Sequence, residues 1–153
     1  MSVQPSIRQF LSQYFPVFIG AIFASIFSLV FAVPLFFDSY FGTLSMADNV
    51  KWSFWGGITL TLVVVHCNFM IARGRPFWVW PLVGVSGLCF LCVLPTIEYR
   101  PDSLIYSLSL FFPSVALLLL NSKRHREMRR KLVEIRHQRE RIIQSAKASR
   151  PRR

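Results

Sequence analysis

The stretch QFLSQYFPVFIGAIFASIFSLVFAVPLFF, residues 9–37, runs for 29 residues without a charged side chain. A helix needs about 20 mostly apolar residues to cross the hydrocarbon core of a bilayer, so this run reads as a membrane span. Three more charge-free stretches follow, at 52–72, 76–97 and 103–122, and the four together take well over half of the 153 residues. Each remaining piece is shorter than the roughly 40 residues below which a domain rarely folds alone. Only 16% of the chain is charged, against about 25% in soluble domains. The sequence therefore predicts an all-α integral membrane protein with four transmembrane helices, over about 16–37, 52–72, 77–97 and 103–122. An amphipathic interfacial segment, 1–15, precedes them, and the fourth helix extends into a basic cytoplasmic tail, 123–153.

Orientation follows from Lys and Arg, which concentrate in short loops on the cytoplasmic side. Arg8 precedes the first span, Arg73 and Arg75 fill the second loop, and thirteen bases lie beyond Ser122. The first and third loops instead hold Asp38, Asp48, Glu98 and Asp102. Both termini are thus expected in the cytoplasm, with the protein in a bacterial inner membrane. Trp52, Trp55, Trp78 and Trp80 sit at span starts, where amphipathic rings favour the headgroup layer. Arg8, the first apolar run and a Val30-Phe31-Ala32 site are compatible with a cleavable leader, but the run over 16–37 exceeds the usual 7–15-residue core. A retained span is expected. Upstream, Val3, Ile7, Phe10, Leu11 and Tyr14 recur at helical spacing, as in a helix lying on the inner leaflet, and Pro16 is expected to turn the chain into the bilayer.

The spans read as built to pack. Gly20, Ala24, Ser28 and Ala32 recur every four residues, a small-residue stripe that lets another helix backbone come close, within the bundle or from another subunit. Pro113 lies near the middle of the fourth span, where it removes one helical hydrogen bond and collides with the Ser109 carbonyl, so a bend is expected. Cys89 and Cys92 form a CxxC, and His66 and Cys67 lie in the second span. Counting about 1.5 Å per residue, His66 and the CxxC differ in depth by roughly 9–13 Å. That gap excludes a shared zinc site, whose bonds are about 2.0–2.3 Å. No metal and no cofactor are expected, and the thiols read as small buried hydrophobes. His66 and Asn68 point to opposite sides of one helix. His66 reads as a neutral imidazole bonded to a neighbour, and Asn68 either snorkels inward or meets a second protein surface.

The tail supplies +10 of the chain's +11 net charge. Met128, Leu132, Ile135 and Ile142 follow a 4-3-7 spacing on one face, with basic residues around them. Three readings compete for Arg126, Arg129, Arg130, Lys131, Arg136 and Arg139. An amphipathic helix on anionic lipid comes first, where each base near the surface is worth about 1 kcal/mol. Helix pairing between subunits comes second. Nucleic acid comes last, because no groove-reading motif or stacking platform accompanies the charge. Residues 149–153 are expected to be disordered.

The expected function is therefore noncatalytic: a small multi-pass protein acting through helix-helix contacts, as an accessory, regulatory or immunity-type subunit. Span count and orientation are similar to those of some immunity proteins for pore-forming bacteriocins, a likeness of topology across the four spans without a shared motif. A homo-oligomeric pore, such as a holin or defence effector, is the second reading, although a water-filled pore needs a polar lining and the spans offer only scattered Ser, Thr, Asn and His. A membrane-anchored binder of anionic lipid, nucleotide or nucleic acid is the third. The expected partners are anionic headgroups and a membrane protein or a second copy of the chain.

Overall fold

A computed structural model describes residues 7–148, and every regular element among them is helical. Helix α1 spans Ile7–Tyr40, α2 Met46–Ala72, α3 Val79–Val93, α4 Ser103–Asn121 and α5 Lys123–Ala148, with 3₁₀ turns at Pro76–Trp78 and Leu94–Tyr99. Four segments are long and apolar enough to cross a membrane: Tyr14–Tyr40, Met46–Ala72, Pro76–Tyr99 and Ser103–Asn121. Val3, the side chains of Ile7, Phe10 and Leu11, and the tail end at 149–153 lie outside the described residues.

Local chemistry sets the helix starts. The Ser45 hydroxyl accepts the Asp48 N–H at 3.2 Å and donates to its carboxylate at 2.7 Å, a capping arrangement that satisfies an orphan donor at the start of α2. Asp102 accepts the amides of Leu104 and Ile105 at the start of α4. The expected turn at Pro16 is absent, since α1 continues through both Pro16 and Pro34. Both prolines lie on exposed positions of the helix, so their rings displace no packed neighbour. Likewise α4 remains one helix through Pro113.

The bundle is centred on α1, which packs along α4 and α2 and also meets α3, while α3 bridges α4 and α2. Its interior closes on Leu29, Val64, Cys67, Ile71, Leu82 and Leu120, each at most 2% exposed. The outer surface is just as apolar: Phe23, Leu62, Phe69, Leu91, Phe111 and Leu118 are all exposed. An apolar exterior this extensive is unsuited to water and suited to hydrocarbon. Three buried hydroxyls donate to a carbonyl three or four residues earlier, Ser25 to Ala21, Ser109 to Ile105 and Thr96 to Val93, whereas the buried Ser28 hydroxyl has no hydrogen-bond partner.

The tail departs from expectation. The fourth helix does not extend into it, because Ser122 adopts an extended backbone (φ −61°, ψ 148°) and separates α4 from α5. The physical cause lies in Ser122 itself, whose hydroxyl accepts the His125 N–H at 3.2 Å and so starts a new helix as an N-cap. Helix α5 then folds back against α1, α2, α4 and the Pro76–Trp78 turn.

Candidate functional site

Two features stand apart from the packed interior, one at each end of the bundle. The first is a lateral groove of about 810 Å³ between α1 and α2, in the half farther from α5. Leu29, Val33 and Pro34 of α1 and Val50, Gly57 and Leu62 of α2 form its apolar walls, with Thr61 among them and Asp38 and Asn49 at its end. Gly57 faces open space there: a Cβ built on it would meet nothing within 4 Å.

The small-residue stripe is not part of this groove. Ala24, Ser28 and Ala32 are buried inside the chain's own bundle. A Cβ on Gly20 would meet Leu119 of α4 at 3.5 Å, and Ala32 clusters with Val93 of α3 and with Cys89, Tyr106 and Leu110. Close approach of α1 to α3 and α4 is what the small side chains permit.

His66 and Asn68 lie on opposite sides of α2, Asn68 inside and His66 outside. Asn68 is 5% exposed and donates to the Val64 carbonyl at 2.8 Å, leaving its amide oxygen without a partner. His66 lies on the exposed side of α2, with its ring edge-on to Trp78 at 5.1 Å. The buried stripe of α2 is Val64, Cys67, Asn68 and Ile71, so one polar amide turns inward in register with three apolar side chains, while Leu62, Val65 and Phe69 stay exposed. The three thiols are free: Cys67 is buried, whereas Cys89 and Cys92 are half-buried. Among the described residues, no three His, Cys, Asp or Glu side chains gather into a metal-binding group.

The second feature is the docked basic helix. Tyr14 of α1 is 3% exposed; its hydroxyl donates to Glu127 at 3.4 Å and its ring lies beneath the Lys131 ammonium at 4.8 Å. On the other side, Gly74 has a left-handed backbone (φ +79°), and a Cβ on it would stand 2.8 Å from the Leu132 carbonyl oxygen. Only glycine allows both that backbone and that approach. Between these clamps His125 and Met128 are buried, with His125 stacked on Phe18 at 6.4 Å. Burial, then the positive charge of Arg129, pushes the His125 pKa down to about 4.

The six basic residues singled out in the tail divide into four groups. Lys131 is committed to Tyr14. Arg136 lies against Gly74 and donates to Glu140 at 2.8 Å, which holds that carboxyl below its ordinary range. Arg139 is exposed farther along the helix. Arg126, Arg129 and Arg130 instead converge with Val133 and Pro76 on a crevice of about 310 Å³. Spacings of three, four and seven residues put these side chains on one face of α5. His125, Gly74 and Tyr14 lay outside the sequence-level set, although His125 continues the spacing of Met128 and Leu132 one turn earlier. The chain matches no protein-family model, no curated protein and no solved structure.

Proposed function

We propose that this chain is a noncatalytic accessory, regulatory or immunity-type subunit in a bacterial inner membrane, with both termini in the cytoplasm. In this reading the groove between α1 and α2 receives a single membrane helix of a partner protein. The observation that carries it is the groove itself: about 810 Å³ of mainly apolar hollow between two helices long and apolar enough to span a membrane, which suits the side of a neighbouring apolar helix. Gly57 lets a partner backbone approach closely, as small residues do between membrane helices. Asp38 and Asn49 at the end of the groove favour a partner bearing Lys, Arg or a hydroxyl at that level. The excess of Lys and Arg in α5 and in the loop around Gly74 supports the cytoplasmic placement of that end.

The test is site-specific photocrosslinking from position 62 in native membranes, with the adduct identified by mass spectrometry. The expected result is one discrete membrane-protein adduct, lost in Gly57→Leu, which fills the groove, and kept in Gly84→Leu, which faces open space on α3. An adduct unaffected by Gly57→Leu, or crosslinking to lipid alone, would sink the reading. A dimer of the chain as the sole adduct would replace it with self-association.

A further inference from the structure

We propose that the crevice between α5 and the Pro76–Trp78 turn is a binding site for the phosphate of an anionic lipid headgroup, held by Arg126, Arg129 and Arg130.

Three observations converge on it. First, the crevice walls are Pro76, Arg126, Arg129, Arg130 and Val133, with no acidic side chain among them. Neither ion pair found among the described residues involves these three arginines: both use Glu140, with Arg136 and His137. Second, Arg129 is half-buried and its Nε has no hydrogen-bond partner. A guanidinium desolvated in this way is costly until an acceptor reaches it. Its pKa is lowered by burial and by the neighbouring charge of Arg126, so cations crowd one another where an anion would relieve them. Third, Pro76 is the first residue of the candidate span Pro76–Tyr99, and Phe77 beside it is 74% exposed. The crevice therefore stands at the edge of the apolar zone, at the height of the headgroups.

Guanidinium forks match phosphate oxygens in geometry and charge, and they do so better than ammonium groups. Position then separates two sources of phosphate: a headgroup carries its phosphate tethered to a glycerol backbone at membrane depth, level with Pro76 and the exposed Phe77 at the start of the span, whereas nothing holds inorganic phosphate at that level.

The site differs from a generally basic surface, and the test exploits that difference. The full-length protein is released for native mass spectrometry from micelles containing equal phosphatidylglycerol and phosphatidylcholine, with and without added inorganic phosphate. The expected result is selective retention of phosphatidylglycerol that inorganic phosphate does not displace. Arg126→Gln with Arg130→Gln, both at exposed positions and so compatible with folding, should weaken retention about tenfold or more, from two basic contacts removed. Arg139→Gln with Arg141→Gln removes the same charge from exposed positions beyond the crevice and should leave retention unchanged. Equal loss in the two pairs would show diffuse attraction and overturn the site. Equal retention of both lipids, or capture of inorganic phosphate with no lipid preference, would also overturn it.

Discussion

Replacing Gly74 by alanine should release α5 from the bundle. The new Cβ would lie 2.8 Å from the Leu132 carbonyl oxygen and close to the Arg136 Cβ, at a backbone φ of +79°. The left-handed region costs an ordinary residue roughly 1–2 kcal/mol. The close approach is to backbone, which cannot rotate away as a flexible side chain would, so α5 itself must shift. Both terms vanish once α5 leaves, because the loop is then free to relax. The docking equilibrium should therefore weaken by about 2 kcal/mol, or about thirtyfold in the undocked population. Met128 reports on this directly, being 4% exposed in the docked state. With Met128→Cys as the only thiol, the maleimide labelling rate should rise about thirtyfold in Gly74→Ala when docking is fast relative to labelling. Gly84→Ala, which meets nothing within 4 Å, is the control. Equal rates in the two variants would refute the claim that this loop clamps the helix.

Other expectations follow from the same geometry. His125 has a folded-state pKa of about 4, below its ordinary 6.5, so the undocked state binds more protons between those values and stability rises with pH there. Docking strength should be intact above pH 6.5 and fall by up to roughly 3 kcal/mol as pH drops to about 4. A spin-label distance between α5 and the loop at Gly74 should lengthen over that range, and His125→Phe should flatten the response. In the bundle, Ala24→Leu overfills a site 5% exposed and should destabilise by about 1–3 kcal/mol. Ile22→Leu, half-buried beside it, should cost less, and equal losses in detergent unfolding would count against tight packing of the stripe. Cys89→Ala with Cys92→Ala should preserve partner crosslinking, since the half-buried thiols act as small hydrophobes; its abolition at normal expression would point to redox chemistry.

The spans were legible in the sequence because charge-free length is a one-dimensional property, and the stretch at 9–37 declares itself without tertiary information. Rotation about each helix axis was less legible. His66 and Asn68 differ only in which side of α2 they occupy, and a helix apolar nearly all round gives no strong face from which to choose. The packing of α1 against three neighbours made that choice. The break at Ser122 had a local signal, since Asn121 and Ser122 end the leucine run just before Lys123. Apolar periodicity continuing at Met128 and Leu132 concealed it, because that face could equally serve a continuous helix or one that folds back. The clustering of Arg126, Arg129 and Arg130 was implicit in their spacing, but the wall at Pro76 comes from residues about fifty positions away. No local pattern reports such a contact.

The central claim, a bundle embedded in the membrane with its basic helix on the cytoplasmic side, is tested most directly by paired cysteine labelling in intact cells. Ser45 precedes α2 at the end of the bundle away from α5, and Ser145 lies on the exposed last turns of α5. In a background lacking Cys67, Cys89 and Cys92, a membrane-impermeant maleimide should label Ser45→Cys from outside and Ser145→Cys only after permeabilisation. Labelling of Ser145→Cys in intact cells, with Ser45→Cys protected, would invert the protein in the membrane and remove α5 from the cytoplasmic headgroups.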